Sequence, residues 1–411
     1  MRAGFLLLKG PQNSHRTTNK ITRGAVTVKY NIISGDSHLE LLADRWTHRI
    51  DPKYRDRAPK NVVLPDGADG TVIENLPPVQ NPMDLYGGKG RDIWHPFGQR
   101  YDDTPGTGSP EQRMAEQDQD HVDAEVLYPA VVAGPRLWSK VKDPKATAAI
   151  FRGYNDWLAE EYCSVAPDRL IGVGALPSTG VDDAIAEIQH CKQIGIKSGQ
   201  LIRFPNGGPR PTSEDDKFWA AAIEMDFPIS IHVELDRSME PNARLLDYPK
   251  EHEVLNRTEL AFQVQRFARA GGVNTVQLVL SGLFDRFPTL QIFMAENCIG
   301  WVPFFLEMAD VRYSRHIHWS EQYVDYKPLK QLPSEYIKQH FLWGFQVDRS
   351  GVELRHHMGV DNLIWAVDFP HQESDWPDSS LILEHNFHDI PKDEVYKMVA
   401  GNAMRFFHLD A

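Results

Sequence analysis

The stretch Leu363-Ile364-Trp365-Ala366-Val367-Asp368-Phe369-Pro370-His371 carries an apolar run to a single aspartate, then to a proline and a histidine. An ionisable group closing an otherwise apolar strand has little packing reason to be there, because burying it uncompensated is costly. In an α/β barrel, the carboxyl ends of the strands are where chemistry is done. Residues 30–40 repeat the pattern with Asp36, His38 and Glu40. These lie two apart, and so share one face of an extended segment.

Working outward from these two strand ends, short apolar runs recur at 31–36, 124–129, 170–176, 198–204, 227–233, 290–296, 341–345 and 363–367. The seventh has the least support. Between them lie segments with helical periodicity, such as 146–166 with Phe151, Tyr154, Trp157, Leu158 and Tyr162, and 182–193 with Ala184, Ile185, Ile188 and Cys191. Eight strands alternating with helices predict an α/β fold, a single (β/α)8 TIM barrel over 29–411. Residues 1–28 read as a flexible N-terminal tail. Residues 51–112, rich in Pro, Gly and Asp, break the repeat and read as a long insertion after the first strand, a lid over the barrel mouth. It carries Trp94, His95, Phe97 and Tyr101 as candidate substrate-facing groups, with simple surface packing an equal alternative.

The 411 residues exceed an ordinary domain, but barrels of this length stay undivided, and 41% hydrophobic with 25% charged residues suits a large soluble core. A net charge of −13 without a basic stripe argues against a nucleic-acid partner. Cys163, Cys191 and Cys298 fit neither a disulfide framework nor a zinc ribbon, and point to a reducing cytoplasm. The apolar run at 4–8 is too short for a signal core or a membrane span.

Barrel topology brings strand ends to one mouth, which gathers Asp36, His38, Glu40, His232, Glu296 and Asp368. Each has a bland reading: Asp36 as a cap, His232 as a satisfied core histidine, Glu296 as the partner of an arginine. Together they are harder to dismiss, since several carboxylates at one mouth nearly require a cation, and histidine with carboxylate is a ligand set for Zn, Fe or Mn.

At this point the chain resembles the amidohydrolase superfamily, and within it the amidohydrolase-2 (aminocarboxymuconate-semialdehyde-decarboxylase-like) family. The resemblance rests on 35–40 (GDSHLE), 228–232 (PISIH), 282–288 (GLFDRFP), 295–301 (AENCIGW), 366–371 (AVDFPH) and 401–407 (GNAMRFF), in the family's order. It implies that His38 matches the first histidine of the family's His-x-His pair, His232 the metal histidine of the fifth strand, and Asp368 the aspartate that binds metal and handles water. Glu40 stands where the second histidine is expected, Glu296 where the sixth strand carries a histidine, and no bridging lysine or glutamate is evident in 198–204.

The expected cofactor is therefore a divalent metal, one or two ions. With Asp36, Glu40, Glu296 and Asp368 ionised, one dication leaves a charge of about −2, so charge balance leans to two, and carboxylate-rich ligation favours Fe or Mn over Zn. The leading expectation is a hydrolase acting on an amide, ester or thioester of a small molecule through metal-activated water, with Asp368 accepting the proton and Glu296 or His371 returning it. Arg203, Arg237 and Trp94 are candidate substrate-binding residues. The alternative is a decarboxylase of an aromatic or unsaturated acid using the same site. A homodimer is expected from the family resemblance; no membrane partner is.

Overall fold

The computed structural model describes residues 30–81, 97–101, 104–233, 235, 270–324 and 326–409. Strand β1 (Ile33–Leu39) is followed by a small antiparallel sheet of β2 (Lys60–Val63), β3 (Asp69–Val72) and β4 (Val79–Gln80). Seven further strands complete the barrel: β5 (Ala124–Pro129), β6 (Leu170–Ala175), β7 (Ser198–Leu201), β8 (Ile229–His232), β9 (Ile292–Ala295), β10 (Phe341–Phe345) and β11 (Leu363–Trp365). They pair in parallel in the order β1-β5-β6-β7-β8-β9-β10-β11. The seam between β1 and the residues after β11 is closed by Val367 N donating to Ser34 Oγ (2.9 Å), Asp368 N to the Asp36 carbonyl (2.9 Å) and His38 N to the Phe369 carbonyl (2.8 Å). The fold is the expected α/β barrel.

All eight apolar runs are strands, but several stop short of the expected carboxyl ends. At β8 and β9 the reason lies in the backbone: the next residues, Val233 and Glu296, have φ of 58° and 53°, the left-handed region, and Asp368 (φ 59°) takes the same conformation beyond β11 while still bonding across the seam. Such conformations are uncommon outside glycine and cluster at functional sites. On β1 the register with β5 shifts between Ser34 and Ser37, an irregularity that re-aims side chains next to a site. Inside the barrel, Ser198 Oγ and Ser230 Oγ are 3.1 Å apart. The floor is closed by Phe406 and Phe407, each 5.8 Å from the Phe293 ring.

The helices follow local signals. Helix α1 (Pro110–Asp120) starts at Ser109, whose hydroxyl accepts from Gln112 N, with Pro110 in its first turn, and ends where His121 turns left-handed at φ 60°. Helix α2 (Pro144–Trp157) begins at the Asp143 cap and passes into a wider turn over 158–162, within the expected 146–166 segment. Helix α3 (Val181–Gln193) matches the other periodic segment. Sheet β2–β4 was not anticipated, because strands of four, four and two residues are at or below the shortest length at which alternation is readable. Among the described residues, no helix is long and apolar enough to cross a membrane.

Candidate metal centre

At the mouth, β1 presents Asp36 and His38, β8 presents His232, and the turn after β11 presents Asp368; one ligand atom of each lies within 4.8 Å of the others. All four are buried. The Nε2 atoms of His38 and His232 are 2.9 Å apart. Asp36 Oδ1 and Asp368 Oδ1 lie 3.5 and 3.4 Å from His38 Nε2, and Asp36 Oδ2 lies 3.4 Å from His232 Nε2.

These distances are not ordinary ion pairs. His38 Nδ1 faces the Pro129 carbonyl at 3.2 Å, and a carbonyl only accepts, so Nδ1 carries the hydrogen and Nε2 offers a lone pair. Burial, with His371 and His232 close by, holds the His38 imidazole well below its ordinary pKa, hence neutral. Burial and the neighbouring Asp368 and Glu296 carboxylates push Asp36 well above the usual carboxylate range. Neither Asp36 oxygen nor Asp368 Oδ2 has a hydrogen-bond donor, although all three are buried. The lone-pair Nε2 of His38, the His232 Nε2 beside it and the buried carboxylate oxygens of Asp36 and Asp368 without donors are a donor set for a divalent cation, and the residues fit one.

The remaining acidic candidates stand beside this group. Glu40 Oε1 receives the Val131 N–H and lies 3.1 Å from His371 Nε2, while its Oε2 accepts from Tyr101 at 3.3 Å. His371 Nδ1 lies 3.1 Å from Asp368 Oδ1, and the His371 ring stacks on that of His38 at 4.0 Å. His38, Glu40 and His371 thus form a second set of converging donors. Glu296 Oε2 approaches His232 Nε2 at 3.4 Å. Arg203 donates to the Gly207 carbonyl at 3.4 Å, beyond the end of β7. Trp94 and Arg237 lie outside the described residues.

Sequence reasoning missed Arg113. It is buried on α1 and reaches β1 and the turn after β11 from behind. The signal was present in its partner: Glu125 interrupts the apolar run of β5, and a charge there requires a counter-ion.

The amidohydrolase family model matches residues 36–409. The chain belongs to the amidohydrolase family. By sequence it is 26% identical over 288 residues to a gamma-resorcylate decarboxylase of Rhizobium radiobacter, covering 66% of this chain and 79% of that protein. It is 27% identical over 282 residues to a gamma-resorcylate decarboxylase of Rhodococcus jostii, covering 64% and 77%. Among solved structures, an amidohydrolase of Mycobacterium avium subsp. paratuberculosis superposes with a TM-score of 0.68 at 19% identity, covering 92% of this chain and all of that one. The 5-carboxyvanillate decarboxylase of Novosphingobium aromaticivorans, complexed with manganese and 4-hydroxy-3-methoxy-5-nitrobenzoic acid, gives 0.65 at 19% identity, covering 92% and 96%. This kinship overturns the expectation of a hydrolase acting on an amide, ester or thioester: the sequence relatives are decarboxylases. The ligand types did not discriminate, because both chemistries need a Lewis acid and a proton carrier.

Proposed function

We propose that this protein is a metal-dependent decarboxylase of a small aromatic carboxylic acid. The observation that carries the reading is the similarity, over about two thirds of the chain, to gamma-resorcylate decarboxylases. The geometry agrees with it. Asp36, His38, His232 and Asp368 would hold one divalent ion; within this group only two carboxylates need neutralising, which a single dication does. Carboxylate and imidazole donors suit manganese, the ion present in the 5-carboxyvanillate decarboxylase structure. When bound, the ion supplies a Lewis acid that orients the substrate carboxylate.

The chain's own residues supply the proton. Loss of carbon dioxide returns the bonding electron pair to the ring carbon, which must take up one proton. Asp368 is the group we assign to relay it to that carbon, taking it from His371, which lies 3.1 Å from its Oδ1 with Glu40 on the far ring nitrogen and Tyr101 beyond. Glu296, whose Oε2 faces the same nitrogen that His232 would offer the ion, would be a further carboxylate ligand beside it. The insertion would act as the lid, since Tyr101 reaches Glu40 at the mouth. Arg203 remains a candidate for the substrate's anionic end. A homodimer is tested by sedimentation of the purified chain.

The deciding experiment incubates metal-stripped protein, reloaded with Mn2+, with a panel of hydroxybenzoates and, separately, aryl esters and amides. Release of carbon dioxide from at least one hydroxybenzoate, abolished by Asp368→Asn, is expected. Ester or amide turnover without any carbon dioxide release would sink the reading.

A further inference from the structure

Helix α1 carries a buried cation to the back of the metal ligands. Arg113 is 1% exposed. Its Nε and Nη2 bind the Glu125 carboxylate at 2.6 and 3.1 Å. Nη1 donates to the His38 carbonyl at 3.1 Å, and Nη2 to the Phe369 carbonyl at 3.0 Å. The guanidinium carbon sits 4.5 Å from the centre of the Phe369 ring. Gln117, one turn along α1, adds a hydrogen bond to Glu125 at 2.8 Å.

Those two carbonyls belong to the seam where the barrel closes. The Phe369 carbonyl also accepts from His38 N at 2.8 Å. One side chain therefore bridges the backbone of a metal ligand, His38, and that of the residue following another, Asp368. A planar guanidinium fork spans two such acceptors and a carboxylate at once; an ammonium does not.

We propose that Arg113 is a positioning residue that locks the spacing of His38 and Asp368 and thereby sets the chain's affinity for its divalent ion. The proposal rests on reading the four side chains as metal ligands, and not on the reaction they serve. It extends the function of α1 from covering the barrel to setting the metal site.

The test is a Mn2+ titration of metal-stripped full-length protein, followed by the electron paramagnetic resonance signal of free Mn2+, alongside thermal midpoints in chelator. Arg113→Lys keeps the charge and loses the fork. The double variant Arg113→Met with Glu125→Met removes both buried charges, which spares the fold an orphaned carboxylate. Arg355→Met, which breaks a pair with Glu394 on the outer helices, serves as the stability control. Both Arg113 variants are expected to weaken Mn2+ binding by about tenfold or more, the usual range for outer partners of metal ligands. Arg355→Met should lower the midpoint and leave Mn2+ affinity unchanged. Affinity within twofold of the wild type in the double variant, or full affinity in Arg113→Lys, would overturn the proposal. A wild-type chain that takes up no Mn2+ overturns both this and the metal reading. One that binds Mn2+ but releases no carbon dioxide sinks only the decarboxylase.

Discussion

Asp36 concentrates the chemistry of the site in one side chain. Both of its oxygens are buried without donors, beside a second carboxylate, so in metal-free protein its charge is a liability. Its folded-state pKa is raised, so the folded chain binds the proton more tightly than the unfolded chain does. Stability from this group is therefore present at low pH and lost as pH rises above the ordinary value of 3.8. In chelator, Asp36→Asn should melt higher than wild type at pH 8, by on the order of 1–3 kcal/mol of stability, and little differently at pH 4. With Mn2+ present the order should reverse. A lower midpoint for Asp36→Asn in chelator at pH 8 would contradict the assignment. Of the site residues, Asp36, His38, His232 and Asp368 were legible because each interrupts or ends an apolar run. Arg113 was not, because α1 is polar almost throughout and a polar helix reads as a solvated one.

The elements around the site are held by specific staples. The Asp120 carboxylate at the end of α1 accepts from both Ser379 N (2.9 Å) and Ser379 Oγ (2.6 Å), tying α1 to the start of α4 (Ser379–Phe387). Burial raises its pKa from 3.8 to about 6 despite those hydrogen bonds. The sign is again that of a raised carboxylate: stability is lost as pH climbs between roughly 4 and 6, by about 2–3 kcal/mol. Asp120→Asn should flatten that part of the denaturation profile relative to wild type, as measured by urea midpoints across the range. On β10, a Cβ at Gly344 would meet Glu296 N at 3.0 Å and the Ala295 Cα at 3.1 Å. Gly344→Ala should push the β9 turn aside, cutting activity at least tenfold through Glu296 with modest loss of stability; unchanged kcat would refute it. Strand identity was legible from apolar runs, but strand ends were not. The left-handed turns at Val233, Glu296 and Asp368 are imposed by the mouth and leave no mark on residue type.

For the whole molecule, metal and fold form one equilibrium. A cation that binds only the closed barrel stabilises it by RT ln(1 + [L]/Kd), about 2.7 kcal/mol at a hundredfold excess over Kd. Chelation should lower the thermal midpoint by several degrees and Mn2+ should restore it; a midpoint indifferent to both would mean the four ligands are merely structural. The architecture was readable because a barrel repeats one unit, and repetition survives uncertainty about any single element. The small sheet β2–β4 belongs to no repeat, and so it was seen only in the structure.

The seam has a temporal meaning. Val367 and Asp368 bond to Ser34 and Asp36 across more than three hundred residues of chain, and three of the four candidate ligands flank that join, Asp36 and His38 on one side and Asp368 on the other. A ribosome that has released the first three strands has made His38 but not its partner Asp368. The nascent polypeptide therefore holds half of a chelate, too weak to retain an ion against the cell's buffers. Uptake must wait until Asp368 has emerged and the longest loop in the topology has closed, the slowest kind of contact to form. Metal content would then report closure of the barrel: a chain cut short before Asp368 should be recovered without its ion.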